Sequence, residues 1–537
     1  MPQIFRFLKV LGLVVAGLLA TLLLTITAAD WPAAPAPRPA EWAADSASVR
    51  VVPGAQYARG GLWQALFGRH YRAWWAAPAT VPVLRLATAV PGGLVPVQSG
   101  GSNQSHTLRL CATNGRQYVL RSVDKDLSAA LPDGWKRNLL RGLLKDQTSA
   151  TQPYGAYPAA RLAEAAGVLH ANPRLVFVGN DAGLGKFRAE FGNALYLFEE
   201  RPDGDQTPVA SFGHSPNVLN SAHMLAQLRE RPTGYVLARD YLRARLLDML
   251  LGDWSRREDQ WRWASFPLPG RRAFRPVPRD RDQAFFLFDD GLITGLVSRF
   301  VPKYQTFRAD VGPANVDGLT RTARNLDRTL LTGLDAAAFQ QVADSLASAL
   351  TDSVLVRAFA TGPPETRAAI AARLLPMLQA RRAQLPAVAG KYFKLLNEHA
   401  WVLGTDQAER FVLSPGGSGG LRVQMLARRP GRPDSLLLDR LFEPGLAASV
   451  QVFGLAGDDV FELRGNLPKT PVLELYPGHG RNQLLIASGT SAPSLTWYYD
   501  PASPTPRPAA GINCQPALRP VLTGSARGWL SQYNLAD

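Results

Sequence analysis

A single uncharged run, Val10 to Thr27 (VLGLVVAGLLATLLLTIT), follows Arg6 and Lys9, and no second run of that length and apolarity appears in the sequence. A bilayer span takes ~20 apolar residues and keeps its basic flank on the cytoplasmic side. The run predicts a signal peptide or N-terminal membrane anchor over residues 1–29 and excludes a polytopic fold. Ala28 and Ala29 offer small residues to a signal peptidase, so cleavage and retention both stay open. Either way the body is expected to be exported, in the periplasm or cell envelope, with the membrane as a partner through this segment. Trp31 to Glu41 (WPAAPAPRPAE) carries Pro at short intervals and reads as an extended stalk within a lead-in spanning residues 30–75.

The rest has the composition of a folding chain: 46% apolar and 19% charged residues over 537 positions. Cys111 and Cys514 stand far apart in sequence, which excludes a disulfide framework or a zinc ribbon. The seven histidines occur singly, never as an i, i+4 pair, so a His-rich zinc site is not expected. The net charge of +16 comes mainly from Arg spread along the chain, which suits solvated faces. No nucleic-acid partner is expected; an envelope protein or polymer remains a candidate.

Residues 76–205 read as a β-rich lobe. Apolar runs at Val81–Leu86, Thr107–Cys111 and Gln117–Val123 are separated by Gly pairs and by Asn114-Gly115, a hairpin signal. Helical patterning over Gly134–Gln147 and Pro158–Ala166 precedes runs at Arg174–Val178 and Ala194–Glu199. Residues 206–400 are mainly helical, with amphipathic spacing over Val236–Leu251, Leu334–Leu350 and Glu365–Leu385. Residues 401–537 return to short β runs with Gly-rich turns, a separate β module.

Several motifs carry chemistry. Gly100-Gly101-Ser102-Asn103-Gln104 lies between two strands, where backbone N–H groups without a neighbouring Cβ can approach phosphate oxygens. Arg121, on a following strand, and Lys125 just beyond it are cations within reach of a phosphate. Leu195 to Arg201 reads as an apolar strand ending in Glu199, a linker able to offer backbone groups to an adenine. Each element alone fits a plain hairpin, a surface cation or an edge strand equally well. Two acidic loops then follow: Gly252-Asp253-Trp254-Ser255-Arg256-Arg257-Glu258-Asp259-Gln260-Trp261 and Pro278-Arg279-Asp280-Arg281-Asp282-Gln283-Ala284-Phe285. In order, these parts suit magnesium-assisted phosphoryl transfer: a cation on the phosphates, oxygen ligands for Mg²⁺ and a group to orient the acceptor.

On these motifs the chain resembles atypical protein-kinase-like folds of the CotH and HipA type, and more closely a kinase-like region of Bacteroidetes envelope proteins that often accompanies calcineurin-like phosphoesterase and outer-membrane barrel domains. The resemblance runs from about Val51 to Leu463 and rests on the two acidic loops. It implies an α+β fold: a two-lobed kinase-like core, with a β-rich N-lobe and a helical C-lobe, plus the C-terminal β module. It also implies ATP and Mg²⁺ as cofactors. It sets Ser255 at the catalytic Asp position, Arg257 at a His position and Gln260 at a metal-binding Asn position. Serine cannot serve as a carboxylate base and Gln is one methylene longer than Asn. Asp253 or Asp259 would have to orient the acceptor, Asp280 and Asp282 would hold metal, and Gly100, Gly101, Arg121, Lys125 and Glu199 would contact the nucleotide. Two functions follow: a phosphotransferase or pseudokinase, and a non-catalytic scaffold that keeps the fold as a binding surface.

In the last module, Gly454 to Phe461 and Gly478 to Leu484 resemble turns of Gly-and-Asp β-rolls, which suggests Ca²⁺ at Asp458 and Asp459, with metal-free turns of a short solenoid as the other reading. Trp497, Tyr498 and Tyr499 suit packing or a glycan contact.

Overall fold

The structure is a computed structural model that describes residues 17, 46–100, 106–125, 139–503, 505, 507–508 and 511–535. The apolar run at 10–27 and the Pro-rich stretch at 31–41 lie outside these residues apart from Gly17. Among the described residues no helix is long and apolar enough to cross a membrane.

The alternation seen in the N-terminal third closes into one seven-stranded sheet. Its strands are β1 (Ser48–Val51), β2 (Ala79–Leu84), β3 (Leu94–Gly100), β4 (Thr107–Ala112), β5 (Gln117–Ser122), β6 (Arg174–Val178) and β7 (Ala194–Glu200), in the order β1-β2-β6-β7-β5-β4-β3. Gly115, at φ 80°, makes the tight turn between β4 and β5. The lead-in differs from a stalk over its second half. Residues 46–75 supply β1 and two helices, α1 (Gly61–Phe67) and α2 (Arg72–Ala76), because Tyr57, Trp63 and Trp75 have large apolar surfaces that leave water only by packing inward. Helices α3 (Leu139–Asp146) and α4 (Ala156–Ala165) connect β5 to β6.

The helical region follows, with α5 (Ser221–Arg229) and α6 (Ala238–Leu251) beside a second sheet of β8 (Asn217–Asn220), β9 (Gly234–Val236), β10 (Trp261–Leu268) and β11 (Arg271–Pro278). β10 and β11 form a hairpin in which Trp261 pairs with Pro278, so the two acidic loops leave the sheet at the same end. Beyond it run α7 (Leu292–Phe300), α8 (Ala336–Ala349), α9 (Pro364–Ala383) and α10 (Leu385–Asn397). One apolar core joins this region to the first sheet, from Val49 and Trp75 through Leu247 and Phe285 to Tyr392.

The last region is a short two-sheet solenoid. One sheet stacks β12 (His399–Leu403), β16 (Ser449–Phe453), β18 (Val472–Tyr476), β20 (Leu495–Tyr499) and β21 (Asn513–Pro516), all parallel. The other orders β15 (Ser435–Phe442), β14 (Leu421–Ala427), β13 (Glu409–Pro415), β17 (Val460–Leu463) and β19 (Gln483–Ile486). Phe411, Val452, Phe461, Leu475 and Trp497 fill the space between the two sheets.

The two Gly-and-Asp turns stack as successive rungs of this solenoid. Glu409 N donates to Asp459 Oδ1 at 2.8 Å, Asp459 N to Asn482 Oδ1 at 3.0 Å, and Asn482 N to Thr505 Oγ1 at 3.5 Å. Asp459 is fully buried, and Asp458 Oδ1 accepts from Arg481 N at 2.8 Å. The two side chains thus accept from backbone donors of the rungs before and after their own, and nothing among the described residues supports Ca²⁺ there. Trp497 is buried, and Tyr498 stacks on Tyr476 at 4.6 Å.

Candidate active site

α6 ends where its sequence says it must. Gly252 adopts φ 68°, closing the helix with a bond from its N–H to Met249 O, and a Cβ there would come within 3.0 Å of Phe307. The turn carries Asp253 directly back under the helix end.

Asp253 is fully buried; it accepts from Ser255 N at 3.1 Å and from Arg256 Nη2 at 2.6 Å. Burial pushes its carboxyl up to about 7, Arg256 opposing and Asp248 and Asp282 adding to the rise. Ser255 and Gln260 face one another, with Gln260 Nε2 3.2 Å from Ser255 Oγ. Asp259 pairs with Arg257 at 2.9 Å.

From the end of β11 the chain passes through Asp280, at φ 53°, into a short turn that directs Asp282 toward the first sheet. Arg121 Nη1 lies 2.5 Å from Asp280 Oδ1, and Arg121 Nε donates to Glu199 Oε1 at 2.9 Å. Lys125 pairs with Asp282. Burial raises the Asp280 carboxyl, but Arg121, Arg279 and Lys125 outweigh it and hold the group below the ordinary carboxylate range. Burial also lifts Glu199, against the pull of Arg121.

These five charged groups, Arg121, Lys125, Glu199, Asp280 and Asp282, border a cleft between β5, β7, α4 and the turn after β11. It has two adjoining parts, of about 440 and 380 Å³ with the solvent at their mouths included, which share Arg121, Ala156, Leu197 and Asp282 as walls. Of the residues expected to act together, Arg121, Lys125, Glu199, Asp280 and Asp282 meet here. Asp253, Ser255, Asp259 and Gln260 line neither part. The Glu199 carboxylate turns in to the guanidinium on the neighbouring strand. Gly100 ends β3 with open space around it, and Gly101 lies outside the described residues.

Beneath the cleft lies a cluster that the sequence reading passed over. Asp248, fully buried on α6, receives Arg256 Nε at 2.9 Å, Arg245 Nη1 at 3.2 Å and Arg281 Nε at 3.2 Å. Arg245 in turn binds Asp327 at 3.0 Å. The signal available was the i, i+3 pairing of Arg245 with Asp248 on a helix whose other residues are mostly apolar. His170, also missed, lines the cleft with Nδ1 bonded to Val168 O at 2.9 Å, and burial lowers its proton affinity, keeping it neutral.

Magnesium takes carboxylate oxygens and retains phosphate or water ligands, so the two carboxylates of Asp280 and Asp282 fit its chemistry. Among the described residues no cluster of three or more His, Cys, Asp or Glu side chains is arranged as a metal cage.

The described architecture is a mixed α/β core joined to a β-solenoid. No family model and no curated protein matches the chain. Among solved structures, the proinflammatory kinase CtkA of Helicobacter pylori aligns at 11% identity over 58% of this chain and 98% of its own, with a TM-score of 0.29. The Rio2 kinase of Chaetomium thermophilum, solved as an ADP/Mg²⁺-phosphoaspartate complex, aligns at 14% identity over 48% of this chain and 70% of its own, with a TM-score of 0.19. Superpositions at these scores do not define a common fold.

Proposed function

We propose that this is an exported cell-envelope protein, held to the membrane by its N-terminal segment, whose first two lobes form an atypical kinase-like domain that takes ATP with Mg²⁺. One observation carries the reading: Arg121, on the third strand of the β3-β4-β5 antiparallel series, converges with Asp280 across the cleft, as a strand cation and a metal-holding Asp do in kinase sites. The charge pattern supports exchange. Arg121 and Lys125 are now paired with Asp280 and Asp282. A nucleotide with its metal brings phosphate for the two cations and a divalent ion for the two carboxylates, so no buried charge loses a partner.

Catalysis is less well provided for than binding. Ser255 offers no carboxylate, Arg256 holds Asp253, and Arg257 holds Asp259. These pairings favour a pseudokinase, and a non-catalytic scaffold is the second reading.

Thermal shift with ATP, with and without Mg²⁺, tests the proposal on wild type and on Asp282→Ala. A Mg²⁺-dependent shift that the variant loses supports nucleotide binding, while no shift in wild type favours the scaffold. Binding without phosphoryl transfer to an envelope extract marks a pseudokinase.

A further inference from the structure

Helix α7 is apolar on both sides. Its inner side places Val297 against the cluster of Ala150, Phe286 and Phe288. Its outer side exposes Leu292 at 72%, Leu296 at 57% and Phe300 at 78%, spaced i, i+4 and i+8 in one stripe. The helix is fixed rather than loose. A Cβ on Gly291 would fall 2.2 Å from Gly68 N at the end of α1, and Asp290 accepts from His70 N at 2.7 Å.

We propose that this stripe dips into the surface of an anionic lipid bilayer, orienting the cleft relative to the membrane. The inference rests on the N-terminal membrane attachment proposed above. Charge favours lipid as the occupant. Neither α1 nor α7 contains an acidic residue, and Arg299 and Arg69 are exposed on and beside them. Lys303 follows over the rings of Trp254 and Tyr304 at 5.5 and 5.1 Å. Of the nearby acids, Asp289 is paired with Arg308 at 2.9 Å, and Asp290 accepts from His70 N at 2.7 Å. A large apolar face beside cations is the pattern of helices that lie in the headgroup region. A second copy of the chain fits less well, since a nine-residue helix about 13 Å long falls short of the ~800 Å² that each partner of a stable dimer buries. Three apolar side chains bind lipid weakly on their own. A tether makes weak contacts count by holding them at high local concentration.

The test uses the full chain in vesicles of phosphatidylethanolamine and phosphatidylglycerol, with Cys111 and Cys514 replaced by Ser and a polarity-sensitive fluorophore attached to Leu296→Cys. A control chain carries the label at Leu518→Cys, which is 96% exposed on the C-terminal region. The proposal expects emission at position 296 to rise about twofold and shift to the blue on vesicle addition, with quenching by bromolipids, as for a residue entering the headgroup region. The label at 518 is expected to stay unchanged. A chain that floats with the vesicles while position 296 stays in water overturns the stripe and leaves the attachment standing. A chain that does not float overturns both. Circular dichroism matching wild type shows that the labelled chains are folded, and Leu292→Cys in the same background replaces any label that fails this check.

Discussion

Arg121 stands 2.5 Å from Asp280 while its Nε holds Glu199, so one guanidinium neutralises two carboxylates that come from a neighbouring strand and from a distant loop. Its side chain is 13% exposed. Arg121→Leu is expected to destabilise the folded state by about 3 kcal/mol, the lower end for breaking a buried pair. Arg121→Lys should cost less, because an ammonium keeps the charge but not the fork. Chemical denaturation of the three proteins checks this, and equal stability of Leu and wild type refutes it.

Asp248, itself fully buried, receives three guanidinium groups. Asp248→Ala leaves Arg281 without its carboxylate, while Arg245 keeps Asp327 and Arg256 keeps Asp253; it is expected to cost about 3 kcal/mol, with loss of soluble protein as the first sign. Asp248→Asn retains acceptors and is expected to lose less. If both express and melt like wild type, the cluster does not hold the acidic loop in place.

Gly252 sits at φ 68° against Phe307. Gly252→Ala is expected to cost about 1–2 kcal/mol from the left-handed conformation alone. An alanine variant with unchanged melting contradicts this.

The solenoid should lose stability as pH rises. Burial, reinforced by Glu409, pushes Asp459 from an ordinary 3.8 up to about 9; burial likewise lifts Glu409 to about 7. The folded chain therefore holds more protons than the unfolded chain between about pH 4 and 9, and stability falls across that window. Thermal melts at pH 6 and pH 9 are expected to show the lower transition at pH 9. Asp459→Asn, which copies Asn482 on the next rung, should flatten the difference. A melt independent of pH in wild type counts against the buried pair.

The strand Arg174–Val178 was readable residue for residue, and the short β runs of residues 401–537 as a kind, because β-branched and apolar residues between Gly-rich turns depend only on local backbone preference and on side-chain alternation. The helix ending at Gly252 and the Asn114-Gly115 turn were legible for the same reason. The positions of Arg121, Lys125, Asp280 and Asp282 were legible as parts, and so was their order.

Which charge meets which was decided elsewhere. Glu199 reads as the acidic end of an apolar linker strand, with no partner named for its carboxylate; pairing of β5 with β7 sets Val119 opposite it and brings that carboxylate to Arg121. Asp459 reads as a calcium ligand, yet stacking of the rungs turns its carboxylate to the Glu409 backbone N–H and sets Asn482, 23 residues later, as the acceptor for its own N–H. Local sequence thus determined the elements, the glycine turns and the supply of charged groups. Tertiary packing alone decided their partners, since ion pairing in a dry cleft depends on distances between segments far apart in the chain, and burial sets the proton affinity of each group only once those segments close over it.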